Sequence, residues 1–219
     1  MSTIEGVRLI ESAKAHGQRV TAETCPQYLL LTKDSKVPKA SYAKVDPPLR
    51  SADDTRALWE GLRHGTVDIV TSDHAPHTRA EKDTDDIFRA TSGMPGVETM
   101  LPLMLTKVNE GIISLGHLSR VMSESVAKLF GLYPRKGTLQ VGSDADFTVV
   151  DLSMEKTIRK ETLYTKGREF VVFDGWKIKG VPTGTVVRGQ IVMWDGQIVG
   201  KPGIGKFIKP VALASRDQT

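Results

Sequence analysis

The most informative segment of the sequence is Val67-Asp68-Ile69-Val70-Thr71-Ser72-Asp73-His74-Ala75-Pro76-His77. It begins as a short apolar run and ends abruptly in an aspartate and two histidines. This pattern is typical of a buried strand with polar groups at its carboxyl-terminal tip. α/β barrels place metal ligands and proton-transfer groups at that end of their strands. The stretch therefore predicts an α/β protein with a site at the strand end.

Cap signals, turn residues and apolar spacing predict further elements on the N-terminal side of this stretch. They are a helix that Ser2 caps and Gly17 ends, a strand over residues 18–22, a loop over 24–28, a helix over 55–63 that Ser51 caps and Gly65 ends, and the strand over 67–72. The order helix, strand, helix, strand is the order expected of βα units in a parallel sheet.

A long loop is predicted over residues 75–96, followed by helices over 97–109 and 117–130. A loop of this length after a barrel strand is more often functional than idle. After Pro134 the pattern changes to short apolar runs separated by turns. The pair Asp195-Gly196 between two such runs is a strong hairpin signal. This part of the chain is predicted to be a small β-rich module.

The composition excludes several classes of protein. The chain has 219 residues, 39% of them hydrophobic, and a net charge of +4 from Lys and Arg that are spread along the sequence. We therefore expect no nucleic-acid partner. No apolar run is long enough to span a membrane, and the N-terminus has no signal-peptide pattern. Cys25 is the only cysteine, which favours a cytoplasmic location, and beside Pro26 it is predicted to be a buried structural thiol.

Asp73 is the first candidate for chemistry. A carboxylate at the tip of a barrel strand can bind a divalent metal and accept a proton. The alternative is that Asp73 only caps a turn before Pro76. His74 and His77 could orient a neighbouring group, contact a substrate or be ordinary loop residues. Asp46 lies in a stiff segment before two prolines, which could present it to a ligand or could simply be a rigid connection.

Taken together, these segments resemble the cyclic amidohydrolases, a family that includes dihydroorotase, hydantoinase or dihydropyrimidinase, and allantoinase. The likeness runs in order from about Ser2 to Pro210. The motifs that carry it are Glu23 to Leu29, Val45 to Ser51, Ser72 to His77, Ser92 to Glu98, Gly142 to Asp151, Phe173 to Trp176 and Val187 to Gly189.

The resemblance implies the C-terminal part of a (β/α)8 TIM-barrel metal-dependent hydrolase together with a small β-rich module. Residues 1–134 would hold the last two barrel strands with their helices, 135–210 the β-rich module and 211–219 a mobile tail. The implied cofactor is zinc, as one or two metal ions. Its metal ligand and proton shuttle would be Asp73. The implied substrate contacts are His77, Asp46, Ser92 and Gly93.

Two departures from the family pattern affect the expected function. The other metal ligands of the family lie upstream of the region that this chain matches, so only Asp73 of the set is present. A complete barrel also takes roughly 250 residues. We therefore expect the chain alone to be inactive, and to act as a homo-oligomer or with a complementing barrel chain. The second departure is Asp46, which stands where dihydroorotases have a neutral side chain.

The substrate class remains open between two kinds of small cyclic amide. The negative charge of Asp46 would repel the carboxylate of dihydroorotate, which favours a neutral hydantoin or dihydropyrimidine ring. His77 favours dihydroorotate instead, and allantoin is a third possibility. A different class of function is also open, since the family has non-catalytic, dihydropyrimidinase-related assembly proteins.

Overall fold

The computed structural model describes residues 1–210 and contains two sheets. Their strands are β1 (Glu23–Thr24), β2 (Ile69–Val70), β3 (Phe147–Thr157), β4 (Lys177–Val187), β5 (Gln190–Trp194) and β6 (Gln197–Ile198). β1 and β2 pair in parallel, and the other four form an antiparallel sheet in the order β3-β4-β5-β6. The tail predicted over 211–219 lies outside the described residues.

Helices connect and cover these strands. The α-helices are α1 (Ile4–Ala15), α2 (Pro26–Leu30), α3 (Ala52–His64), α4 (Arg79–Lys82), α5 (Val97–Asn109), α6 (Leu115–Ser119) and α7 (Ser125–Leu129). A π-helical turn over Arg120–Glu124 joins α6 to α7, so the helix predicted over 117–130 is confirmed with an irregular middle. The long loop after β2 contains α4. No helix of the described part is long and apolar enough to cross a membrane.

Local sequence signals explain α3 and the strand that follows it. Ser51 accepts a hydrogen bond from the amide of Asp54, and the Asp54 side chain accepts one from the amide of Ser51, which completes a capping box. Gly65 ends the helix with φ 82°, a left-handed conformation that glycine adopts without strain. Leu58 and Leu62 are buried on the inner face. The predicted cap and stop are therefore confirmed, and the strand predicted over 67–72 is present but shorter, as β2.

Two predictions near the N-terminus are wrong. Thr3, not Ser2, caps α1, because its hydroxyl accepts from the amide of Gly6 while Ser2 is buried. The strand predicted over 18–22 lies later, at β1. Backbone pairing with the β2 segment begins only at Ala22, whose carbonyl accepts from the amide of Asp68 at 2.8 Å.

A third prediction near the N-terminus also needs correction, since residues 24–28 are not simply a loop. The chain turns from β1 into α2, with Pro26 at the start of the helix, where its missing N–H costs nothing. Four of the five residues of α2 are buried. Tertiary packing therefore makes helical a segment that local signals marked as a turn.

The hairpins of the β-rich module follow from turn chemistry. Asp195 and Gly196 have φ of 47° and 78°, and they connect β5 to β6 as predicted. Arg188 and Gly189, with φ of 53° and 74°, connect β4 to β5 in the same way. The left-handed residue pairs give these turns the twist of the flanking strands.

Helix α5 joins the two sheets into one core. It packs against β4 at Gly180, where an added Cβ would lie 2.8 Å from the Leu105 Cβ. Asn109 donates to the carbonyl of Lys179 at 3.0 Å, and Thr106 accepts from the amide of the same residue at 3.0 Å. One hydrophobic cluster includes both α3 and β4 residues. The sequence pattern changes near residue 135, but the two parts of the chain share one core. The boundary between a barrel part over 1–134 and a β-rich module over 135–210 therefore stays a prediction.

Candidate active site

The parallel pair β1–β2 brings two strand ends to one edge. The carbonyl of Thr24 accepts from the amide of Thr71 at 2.9 Å, so the chain leaves both strands side by side. Cys25 follows β1, and its sulfur lies 3.5 Å from the Thr71 hydroxyl. Burial raises the pKa of Cys25 to about 11, and the charge of Asp73 adds to this effect. The thiol therefore stays protonated at neutral pH and is a poor nucleophile, as the sequence predicted.

Asp73 lies just beyond the end of β2 and is exposed. Its φ is 46°, in the left-handed region that few residues other than glycine adopt. One carboxylate oxygen accepts a hydrogen bond from the side chain of Gln27 at 3.3 Å. Within residues 1–210 the carboxylate accepts no backbone hydrogen bond, so nothing in this part of the chain supports a turn-capping role. Asp73 therefore lies at the strand end with a left-handed backbone and with a hydrogen bond from Gln27 of α2, the helix that follows the neighbouring strand.

Tyr28, the neighbour of Gln27 in α2, contacts the segment that contains Asp46. The Tyr28 hydroxyl donates to the carbonyl of Pro47 at 2.8 Å. Burial, aided by the neighbouring Cys25, Asp73 and Asp46, raises the pKa of Tyr28. Asp46 itself is exposed. The structure therefore places Asp46 and Asp73 near the same tyrosine and leaves both accessible.

His77, Ser92 and Gly93 form a second group. The Nε2 of His77 lies 2.9 Å from the carbonyl oxygen of Ser92, and since a carbonyl only accepts, Nε2 carries the proton. Gly93 has φ 117°, and a Cβ there would lie 2.5 Å from the Cβ of Ala75 and 3.1 Å from His77 Nε2. Only glycine fits this position. The predicted substrate-contacting residues of the long loop thus lie together.

The second group is tied to the segment that contains Asp46. The amide of Gly93 donates to the carbonyl of Lys44 at 2.9 Å. Within residues 1–210, no hydrogen bond or ion pair joins Asp73 to His77. The structure therefore gives two groups, Asp73 with Gln27 at the strand end and His77 with Ser92 and Gly93 on the loop. The second group contacts the 44–47 segment through Gly93, and Tyr28, the neighbour of Gln27, contacts the same segment.

His74 has a structural task. Its Nδ1 accepts from the amides of Gly96 and Val97 at 3.1 and 3.3 Å, so the ring caps the start of α5. Of the roles that the sequence left open for His74, these contacts favour the structural one. A ring nitrogen that accepts two amide bonds is not free to bind a ligand.

Lys82 and Gln27 are the residues that the sequence did not reveal. The side chain of Lys82 is 1% exposed, and its ammonium donates to the carbonyls of Lys44, Thr91 and Gly93. Burial, with a contribution from the charge of Lys44, lowers the pKa of Lys82 to about 8. In the sequence Lys82 is one of several charges in a polar loop, and nothing marks it as buried. Gln27 lies in a motif that the sequence does single out, but its contact with Asp73 spans 46 residues.

The described residues do not by themselves fit a catalytic zinc ion. Among residues 1–210, no group of three or more His, Cys, Asp and Glu side chains could hold a metal. A catalytic zinc uses three protein ligands. Asp73 is accessible and available as one ligand, but its hydrogen-bond partner is the amide of Gln27, which is not another ligand of the kind zinc prefers.

Comparison with known proteins places these features in context. A family model described as the amidohydrolase family matches residues 3–192. An L-hydantoinase of Paenarthrobacter aurescens is 42% identical over 211 residues, which are 95% of this chain and 46% of that protein. A dihydroorotase of Pyrococcus furiosus is 38% identical over 209 residues, with 95% and 47% covered. The chain spans about half the length of the curated relatives it matches.

Solved structures agree with the sequence matches. The L-hydantoinase (dihydropyrimidinase) from Arthrobacter aurescens superposes with a TM-score of 0.88 at 41% identity, covering 95% of this chain and 47% of that one. A dihydropyrimidinase from Brevibacillus agri superposes with a TM-score of 0.90 at 33% identity, covering 96% and 47%. The arrangement of strands, helices and the β-rich module is therefore shared along nearly the whole of this chain.

Proposed function

Because the chain belongs to the amidohydrolase family, we propose that it contributes one part of an active site that hydrolyses the C–N bond of a cyclic amide. Its parallel strands and their helices are part of a TIM barrel. The observation that carries the proposal is the accessible carboxylate of Asp73 at the end of β2. Ring opening needs a group that moves a proton to the leaving nitrogen, and a carboxylate at this position suits that task.

In this proposal Asp73 accepts and returns the proton, and Gln27 orients it. The Gln27 side chain is 2% exposed and donates to one carboxylate oxygen, which leaves the other oxygen free to face a substrate. Asp73 has a left-handed backbone just beyond β2, and its side chain is exposed. The amidohydrolase family is generally metal-dependent. We propose zinc as the metal, with Asp73 as the ligand from this chain. The other ligands would come from polypeptide that lies outside residues 1–210.

The contacts of His77 bear on the substrate class. Its Nε2 proton is engaged by the carbonyl of Ser92, and its Nδ1 lies 4.0 Å from a carboxylate oxygen of Glu81. A ring held in this way has no free N–H for a substrate carboxylate. Asp46 is an exposed carboxylate in the 44–47 segment, which Gly93 contacts through the carbonyl of Lys44. We therefore propose a neutral hydantoin or dihydropyrimidine ring, with dihydroorotate second and allantoin third.

A chimera provides the test. The part of the Paenarthrobacter aurescens L-hydantoinase that this chain does not cover is joined ahead of residue 1, and the product is loaded with zinc. We expect ring opening of hydantoin or dihydrouracil to exceed that of dihydroorotate and allantoin. Asp73→Asn, which keeps the shape but cannot take up the proton, should lower kcat by at least about 100-fold.

The matched control is Asp53→Asn in the same chimera. Asp53 is an exposed carboxylate on α3 whose partner is Arg56, so its loss should leave kcat unchanged. Equal activity of the Asp73→Asn chimera and its parent would refute the role of Asp73. A folded, zinc-loaded chimera without any turnover would favour the non-catalytic assembly role, and a strong preference for dihydroorotate would refute the inference from Asp46 and His77.

A further inference from the structure

Lys82 is a buried cation without an acidic partner in the described part of the chain. Its ammonium lies 3.0 Å from the carbonyl oxygen of Lys44, 2.9 Å from that of Thr91 and 2.6 Å from that of Gly93. An ammonium has three N–H donors, so each proton has one acceptor. The group is therefore fully hydrogen-bonded, although no carboxylate of residues 1–210 forms an ion pair with it.

The three carbonyls belong to the two segments that carry the candidate substrate contacts. Thr91 and Gly93 lie on either side of Ser92, and Lys44 precedes Asp46 by two residues. The carbonyl oxygens converge on one point, where their partial negative charges would repel one another without a cation between them. A lysine supplies a compact charge with donors in three directions, whereas the planar fork of arginine does not.

Burying this cation has a cost that packing alone does not explain. Its removal from water disfavours the charged form, which is why its pKa falls to about 8. An apolar side chain of similar length would fill the same space without that cost. The placement of Lys82 is therefore best explained by the three carbonyls that it holds in register.

We propose that Lys82 is a positioning residue that fixes the Ser92–Gly93 loop against the 44–46 segment and so sets the geometry of the substrate contacts. It reaches the substrate side through two other bonds, one from the amide of Gly93 to the carbonyl of Lys44 and one from His77 to the carbonyl of Ser92. That the positioned residues contact a substrate rests on the proposed function, but the positioning of the loop by Lys82 does not.

The test uses the 219-residue chain and needs no turnover. Lys82→Met removes the donors and keeps the length of the side chain. We expect the amide of Gly93 to exchange with deuterium about tenfold faster or more, while amides of α3 keep their protection. The ¹⁵N shifts of the His77 ring should also change from a single Nε2–H tautomer to a mixture, because the Ser92 carbonyl is no longer held in place.

Lys44→Met is the matched control. The Lys44 ammonium also donates to two loop carbonyls, those of Phe88 and Ala90, but it is only partly buried and does not contact the carbonyls of residues 91–93. Its loss should leave the Gly93 amide and the His77 tautomer unchanged. If Lys82→Met does not fold, Lys82→Gln, which keeps two N–H donors, should give a smaller increase in Gly93 exchange than tenfold but a larger one than Lys44→Met.

Two outcomes would overturn the proposal. One is an unchanged Gly93 amide and His77 ring in the Lys82 variant that folds. The other is faster exchange spread evenly over α3 and the loop, which would make Lys82 a general part of the core. Because exchange and ring shifts are read without substrate, either result stands whether or not the chimera hydrolyses a cyclic amide.

Discussion

Gly96 lies where the chain passes over the end of β2 before α5 begins. A Cβ at Gly96 would lie 2.5 Å from the carbonyl oxygen of Ser72, a backbone atom that cannot move aside alone. We expect Gly96→Ala to lower the free energy of unfolding by about 2 kcal/mol, as overpacking does in other cores. Urea denaturation followed by circular dichroism measures this change.

Gly116 in α6 is the control for that substitution. A Cβ there meets no atom within 4 Å, and its φ is not positive. Gly116→Ala should therefore leave the free energy of unfolding unchanged or raise it by about 0.5 kcal/mol, since alanine loses less backbone entropy than glycine. A Gly96→Ala variant as stable as Gly116→Ala would contradict the contact with Ser72.

The sequence predicts some site residues and misses others. The position of Asp73 follows from an apolar run that ends in a carboxylate, and the structure does place it beyond a strand end. The contact between Gln27 and Asp73 and the burial of Lys82 depend on segments far apart in sequence. No local pattern encodes such pairs. The roles of Asp73, His77, Asp46, Ser92 and Gly93 in substrate or metal binding remain predictions.

At the scale of elements, the cap of α3 also secures α1. The carboxylate of Asp54 accepts from the amide of Ser51 with one oxygen and from the amide of Ile4 with the other, both at 3.0 Å. A hydrogen bond from the Ser51 hydroxyl, together with these two amide bonds, holds the pKa of Asp54 below its ordinary value. The start of one helix is thus joined to the start of another through a single carboxylate.

Ser51→Ala should lower the free energy of unfolding by about 1 kcal/mol at neutral pH, because the amide of Asp54 loses its acceptor. The difference should shrink as the pH falls through the lowered pKa of Asp54, because the Ser51 hydroxyl that the variant lacks also donates to that carboxylate, and a protonated carboxyl accepts this bond less strongly. Ser51→Thr keeps the hydroxyl and serves as the control. Equal urea midpoints for the alanine and threonine variants would show that the cap contributes little.

The elements themselves could be predicted where their signals are local. The helix over 97–109 has the predicted bounds, and the Asp195–Gly196 turn needs only its own two residues. β1 and α2 could not be predicted, because β1 pairs only over Glu23 and Thr24 and α2 is helical through burial. Elements that depend on distant partners are those that the sequence places wrongly.

For the whole molecule, the main feature is apolar surface in the described part of the chain. The outer edges of β1 and β2 pair with no other strand of residues 1–210. In the β-rich module, Ile191 of β5 and Ile198 of β6 are 52% and 60% exposed. Such surface is typical of proteins that associate with another chain.

We therefore expect the 24.0 kDa chain to elute as an oligomer in size-exclusion chromatography with light scattering, and to show no cyclic amide hydrolysis with added zinc. Replacing both Ile191 and Ile198 by Thr, which suits a strand, should shift the population towards the monomer. A wild-type chain that is monomeric at high concentration would contradict this expectation. Turnover by the chain alone would show that no other polypeptide is needed to supply metal ligands.

The enclosure of the Lys82 amine also has a chemical consequence. Acylating reagents attack free, unprotonated amines, and this one is shielded on all sides while its three protons are engaged. Lysines on the surface are modified in the folded protein, whereas Lys82 reacts only in molecules whose loop has momentarily opened. The rate at which Lys82 is acylated in the folded protein therefore reports how often that loop opens.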